Sequence, residues 1–167
     1  MYEPKDSIIT DQKRQMLRHT LATLAYRGGK AIANAPEGFA TFSTNEKTRT
    51  PVEILSHICD LLDWGYNIAT GKDAGQNTKP LPWDEQVARF FSELEKFDSF
   101  LASDEPLGVP VEKLFQAPIA DALTHVGQIA MLRRMAGAPM RGENYFKAEI
   151  VAGRVGAEQS TERVEFD

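Results

Sequence analysis

The amino-acid sequence predicts an all-α protein, an up-down four-helix bundle with a short extra helical turn and an irregular C-terminal tail. Four segments repeat their apolar residues at helical spacing, and proline or glycine separates each segment from the next. No run of alternating β-branched residues is long enough to form a sheet. The 167 residues suit a single domain, 1–167, which becomes less regular from about residue 141.

The first helix is predicted over residues 7–34. Three leucines at i, i+4 and i+7 spacing mark its buried face, Leu17, Leu21 and Leu24. Gly28 and Gly29 weaken the last third of this helix, by up to ~1 kcal/mol each relative to alanine. Pro36 and the polar run 43–49 then predict a loop.

The second helix has the clearest start in the sequence. Thr50-Pro51-Val52-Glu53 is a capping box with proline at the first helical position. In such a box the Thr50 and Glu53 side chains each satisfy the backbone amide of the other residue. The helix is expected to end at Gly71, because glycine readily adopts the left-handed conformation that closes a helix.

The third helix is predicted over residues 83–102, after a turn-rich linker at 72–81. Its buried stripe consists of Val87, Phe90, Phe91, Leu94, Phe97 and Leu101. A single helical turn is expected around Val111–Phe115. Pro118 then opens the fourth helix, which Gly137 and Pro139 close. The remaining tail has no sustained period.

Composition excludes several classes of function. A net charge of −5 and a pI near 5.3 argue against a nucleic-acid partner, which requires clustered Lys and Arg. No segment approaches the length of a membrane span, and the N-terminus lacks the pattern of a signal peptide, so we expect a cytoplasmic protein without a membrane partner. The lone Cys59 excludes an internal disulfide and is expected to be a small buried hydrophobe.

The three histidines fall on different helix faces. His19 lies opposite the leucine stripe of the first helix and is expected at the surface. His57 points towards the bundle interior, and Asp121 and His125 stand one above the other on the fourth helix. Two imidazoles and a carboxylate form a recurrent metal-ligand set. The alternative is a hydrogen-bonded core histidine beside an ordinary intrahelical Asp–His pair.

Three segments of the chain resemble the DinB/YfiT-like superfamily of metal-dependent four-helix proteins. They are Pro-Val-Glu-Ile-Leu-Ser-His-Ile at 51–58, the helix that contains Asp121-Ala-Leu-Thr-His125-Val-Gly-Gln128, and Gly142-Glu-Asn144-Tyr145-Phe146. The resemblance spans residues 10–155. It implies three metal ligands, of which His57 and His125 match directly, whereas Asp121 stands where the family has a histidine.

The resemblance implies a divalent metal ion (Fe, Mn or Ni, with zinc also suitable) and a small-molecule substrate. Relatives of this kind suggest a hydrolase or a low-molecular-weight-thiol transferase. Glu53, Asp60 and Gln128 each lie one helical turn from a ligand, and they are candidates to orient that ligand or accept a proton. The alternative is a non-catalytic binding or stress-associated bundle with a vestigial site.

Relatives of this kind also pair through their helices. A homodimer is therefore a further expectation. Three apolar residues could supply its contact surface, Met131, Met135 and Phe146.

Overall fold

The computed structural model describes the backbone of residues 5–167 and the side chains from residue 12 onward. Its helices are α1 (Lys5–Ile32), α2 (Pro51–Ala69), α3 (Trp83–Ala102), α4 (Val111–Leu114) and α5 (Ala120–Met135). The four long helices confirm the predicted all-α four-helix bundle. Within the described part of the chain, no helix is both long and apolar enough to cross a membrane.

The four long helices follow an order that chain sequence alone does not specify. Both α1 and α2 pack against α3 and against α5, so α1 and α2 lie diagonally opposite each other. The connection 33–50 joins these two diagonal helices and therefore crosses one end of the bundle. In this arrangement α2 and α5 are neighbours. In a bundle whose helices follow one another around its circumference, the second and fourth helices would instead be diagonal.

The predicted helix ends are largely confirmed. The backbone amide of Thr50 donates to the Glu53 carboxylate at 2.7 Å, as expected at the start of α2. Gly71 after α2 and Gly137 after α5 both adopt positive φ angles, of 82° and 77°. The helix α3 begins and ends where the sequence places it, at Trp83 and Ala102.

The sequence predicts that Pro118 opens the last helix, but the structure shows that it does not. A π-helical turn (Phe115–Ile119) contains it and joins α4 to α5 in one helical segment. Proline lacks the amide proton that an interior helical residue donates, which is why sequence patterns place it at a helix start. Here the wider i→i+5 hydrogen-bond spacing of the π-turn accommodates the proline ring in the interior of the helical segment.

Two glycines allow the helices to approach closely. The Cβ of an alanine at position 65 in α2 would lie 2.8 Å from the Phe97 ring and 3.2 Å from Pro118. At position 28 in α1 it would lie 2.7 Å from the Phe90 ring. Gly28 therefore has a packing role that offsets its low helix propensity, and Gly65 lets α3 and the π-turn before α5 come close to α2.

The C-terminal tail is more ordered than predicted. Two short strands, β1 (Gly142–Glu143) and β2 (Glu165–Phe166), pair antiparallel, although no sheet was expected. Two-residue strands leave no periodic signal in a sequence. The Glu143 side chain is fully buried, where it accepts a hydrogen bond from Tyr26 and pairs with Lys30 at 2.8 Å. We call Tyr26, Lys30 and Glu143 the tail cluster.

Candidate metal centre

Three side chains from two helices converge between α2 and α5. Asp121 Oδ2 lies 3.8 Å from His57 Nε2, and Asp121 Oδ1 lies 3.4 Å from His125 Nε2. The two imidazole rings meet edge to face, with centroids 4.7 Å apart. We call these three residues the His–Asp–His cluster. It is the set of candidate metal ligands that the sequence predicted.

The spacing of these atoms suits a single divalent ion. One ligand atom from each residue lies within 4.8 Å of the other two. Ligands about 2.0–2.2 Å from a tetrahedral ion are separated from one another by roughly 3.4 Å. The two Asp–His distances, 3.4 Å to Oδ1 and 3.8 Å to Oδ2, lie at or slightly above that separation, so small rotamer adjustments would complete the set.

Gln128 orients the ring of His125. Its Oε1 lies 2.8 Å from His125 Nδ1, so the ring that donates from Nδ1 directs the lone pair of Nε2 towards Asp121. Metal-ligating histidines commonly have such a partner on the other ring nitrogen. Within residues 12–167, no hydrogen bond involves a ring nitrogen of His57. Both Nε2 atoms are thus available to an ion.

The electrostatic surroundings favour the neutral form of His57. Partial burial lowers the pKa of His57, and His125 and Arg49 lower it further, whereas Asp121 and Asp60 act in the opposite direction. A metal binds the neutral imidazole, because the protonated ring has no free lone pair. The lowered pKa of His57 therefore favours the form that can act as a ligand.

The two carboxylates suggested as helpers of His57 have other partners. Glu53 receives the α2 capping bonds from Thr50, first of all from its backbone amide, and these bonds lower the pKa of Glu53. Asp60 accepts hydrogen bonds from the Thr78 amide at 2.9 Å and from Arg89 at 2.8 Å. These contacts give both residues structural roles, and their catalytic roles stay predictions.

A cleft of about 320 Å³ opens on the His57 side of the cluster. We call it the linker cleft; its lining, from α2 and the linker 70–82, includes His57, Asp60, Leu61, Trp64, Gln76 and Asn77. The linker is fastened by the Asp60–Thr78 bonds and by Gln76, which donates to Asp63 at 3.2 Å. The His57 face of the cluster is therefore accessible through a cleft with a fixed wall.

A larger cleft of about 720 Å³ opens on the His125 side. We call it the cationic cleft; its lining includes Lys47, Arg49, His125, Gln128, Met131 and Met135. Arg49 also lines a smaller recess of about 300 Å³ together with His57. The cluster thus lies between two clefts of small-molecule size.

The remaining reactive residues lie elsewhere, as predicted. His19 is exposed on α1. Cys59 is fully buried, and burial raises the pKa of its thiol to about 12. The Gln86 amide donates to its sulfur at 3.2 Å. The thiol is therefore a packed core group rather than a nucleophile.

Arg49 was not among the residues that the sequence predicted for the site. A signal was nevertheless present, because Arg49 immediately precedes the N-cap Thr50 of α2. The positive end of the helix dipole disfavours a cation at that position. An arginine at this unfavourable position therefore indicates a role other than helix stabilisation.

Comparison of the chain with protein-family models, with curated proteins and with solved structures finds no match.

Proposed function

We propose that this protein is a divalent-metal-dependent enzyme, a hydrolase or a low-molecular-weight-thiol transferase, with His57, Asp121 and His125 as its metal ligands. The observation that carries the proposal is the convergence of two half-buried imidazoles on one carboxylate, with all ligand atoms within 4.8 Å of one another. The sequence resemblance to the DinB/YfiT-like superfamily supports the same three positions.

The chemistry of the donor set agrees with a metal site. The cluster contains two imidazole nitrogen donors and one carboxylate oxygen donor, and no Lys or Arg forms an ion pair with Asp121 within residues 12–167. Such a set binds Zn, Fe(II), Mn and Ni, and three protein ligands leave coordination positions open. A bound ion would act as a Lewis acid that lowers the pKa of a coordinated water or thiol.

The chain's own residues would hold and shape this centre. Asp121 presents one oxygen to each imidazole, and Gln128 fixes the ring of His125. The side chain of His125 is 14% exposed, and that of His57 is 28% exposed. The site is therefore partly shielded from water but reachable from both clefts. Because Cys59 is buried, a reacting thiol would have to come from solution.

Metal analysis and thermal melting of the purified protein, with and without chelator, test the proposal. We expect about one equivalent of metal per chain and a melting temperature that falls on chelation, because a ligand of the folded state alone stabilises it. His57→Ala and His125→Ala should each abolish both effects. His19→Ala is the matched control, since it removes an exposed imidazole from α1 and should change neither.

Unchanged metal content and melting in both variants would contradict the proposal and favour the vestigial-site alternative, a non-catalytic bundle. If metal binds, turnover separates the two reaction classes. Ester and amide substrates test the hydrolase, and electrophiles offered together with low-molecular-weight thiols test the transferase. Activity that requires the added thiol identifies the transferase.

A further inference from the structure

The cationic cleft is lined by positive charge, although the chain as a whole is acidic. The chain carries 24 acidic and 19 basic residues, yet no carboxylate lines this cleft, whereas Lys47 and Arg49 do. Within residues 12–167 neither cationic side chain has an ion-pair or hydrogen-bond partner. By contrast, Arg89 and Lys96 on α3 each pair with two carboxylates.

The two cations stand on a loop with its own internal bonds. The Ser43 hydroxyl donates to the Asn45 carbonyl at 2.8 Å, and the Lys47 amide donates to the Asn45 side chain at 2.9 Å. The capping bonds of Thr50 hold the end of the loop against α2. Lys47 and Arg49 are therefore presented to the cleft by a folded segment.

The opposite wall is apolar and adaptable. Met131 and Met135 of α5 are 54% and 56% exposed, and their i, i+4 spacing places them side by side on the helix. They line the cleft together with Leu132. Methionine is unbranched and polarisable, and it fits ligands of different shape. The cleft thus combines two unpaired cations on one side with an apolar wall on the other.

We propose that the cationic cleft binds a small amphipathic anion, with its anionic head group held by Lys47 and Arg49 and its apolar part lying on Met131 and Met135. Since His125 and Gln128 also line the cleft, such a molecule would lie beside the proposed metal ligands. That this anion represents the enzyme's substrate class rests on the proposed function. Binding of the anion to the cleft does not require metal and is testable on metal-free protein.

The test uses hexanoate and hexyl phosphate as anionic probes and hexanamide as the neutral probe of matched chain length. Titrations are followed by the methyl NMR signals of protein with ¹³C-labelled methionine. We expect either anion to shift the Met131 and Met135 signals and to bind at least fivefold more tightly than hexanamide. Met16 on α1 is the internal control, since it is 63% exposed in a separate apolar cleft beside a cation, Lys13, that is already paired with Glu112.

Charge variants locate the head group. Lys47→Gln and Arg49→Gln should each weaken anion binding about threefold, and the double variant about tenfold, as expected for exposed charge pairs. Hexanamide binding should not change. Lys72→Gln removes an exposed cation just beyond the far end of α2, and it should leave all three probes unaffected.

Equal binding of the anions and the amide, or equal shifts at Met16 and Met131, would overturn the inference. A homodimer that buries Met131 and Met135, detected by sedimentation, would overturn it as well. These titrations on metal-free protein, together with the metal analysis described above, separate the two proposals. Anion binding without metal binding contradicts the enzyme alone, whereas metal binding without anion preference contradicts the anion site alone.

Discussion

The His–Asp–His cluster and the tail cluster bring ionisable side chains together in opposite ways. In the tail cluster a buried carboxylate, Glu143, has an ammonium group and a phenol as donors. In the His–Asp–His cluster a half-exposed carboxylate faces two imidazoles, and the nearest charged contact is 3.4 Å. The first cluster is internally satisfied. In the second, no hydrogen bond joins the three side chains to one another within residues 12–167.

This difference separates a structural cluster from a candidate ligand site. A buried charge is tolerated when neighbouring groups supply its hydrogen bonds, and removal of one partner leaves the other uncompensated. Groups that remain partly hydrated lose little when one of them is removed. The tail cluster should therefore control stability in all conditions, and the His–Asp–His cluster only when an ion is bound.

Glu143→Ala should have the largest effect on stability. It leaves Lys30, whose side chain is 5% exposed, without its close partner, because Glu165 is 3.8 Å away. We expect a loss of about 3–5 kcal/mol in the free energy of unfolding, measured by urea denaturation. Glu149→Ala, which removes an exposed tail carboxylate, is the control. A loss below ~1 kcal/mol for Glu143→Ala would show that the tail cluster, like the metal-free His–Asp–His cluster, contributes little to stability.

Gly65→Ala should have the next largest effect, because it disturbs the packing of α2 against α3 and against the π-turn that precedes α5. The new methyl group would lie 2.8 Å from Phe97 and 3.2 Å from Pro118. Overpacking of this kind destabilises by about 1–3 kcal/mol. Gly127→Ala on α5 is the matched control, since nothing lies within 4 Å of its new Cβ. It should stabilise by up to ~1 kcal/mol through helix propensity.

Gln128→Ala should weaken metal binding without abolishing it. The variant removes the 2.8 Å contact with His125 but none of the three ligands. Loss of an orienting partner typically costs about 10–100-fold in metal affinity. Competition with a chromophoric chelator measures this change. An unchanged affinity would show that the ring of His125 is oriented by packing alone.

The tail cluster should also respond to alkaline pH. Burial, together with the hydrogen bond to Glu143, raises the pKa of Tyr26 from 10.0 to about 12, while Arg163 acts in the opposite direction. Since the folded state retains a proton that the unfolded chain releases, stability should fall as the pH rises from 10 to 12. Urea denaturation across this range measures the fall. Tyr26→Phe should reduce this pH dependence, and an unchanged profile would contradict the assignment.

The smallest effect is expected for His57→Ala in the presence of chelator. The His57 ring has no hydrogen bond in the described part of the chain, and its side chain is 28% exposed. We expect the free energy of unfolding to change by no more than ~0.5 kcal/mol. A loss as large as that of Glu143→Ala would show that the His–Asp–His cluster is structural without metal.

The long helices could be predicted because their signals are local. The Thr50–Glu53 capping box, the closing glycine at 71 and the apolar stripe of the third helix each depend on residues within a few turns. The i, i+4 pair of Asp121 and His125 is local in the same sense, since helix geometry alone brings the two side chains to one face. The inward direction of His57 also followed from the helical period.

Other features depend on contacts between distant residues and left no local signal. The burial of Glu143 requires Tyr26 and Lys30 of α1, more than a hundred residues earlier in the chain. The π-turn around Pro118 is favoured where Gly65 of α2 leaves room for it. Arg49 is part of the site only because its loop and α5 line the same cleft.

The sequence by itself determined four helices and which faces of them carry His57, Asp121 and His125. Only the tertiary structure decided that α2 and α5 are neighbours, because the order of helices depends on how the connection 33–50 crosses the bundle. Periodicity specifies the direction of a side chain around its own helix axis and not the helix that it meets. The distances between the ligands therefore follow from packing.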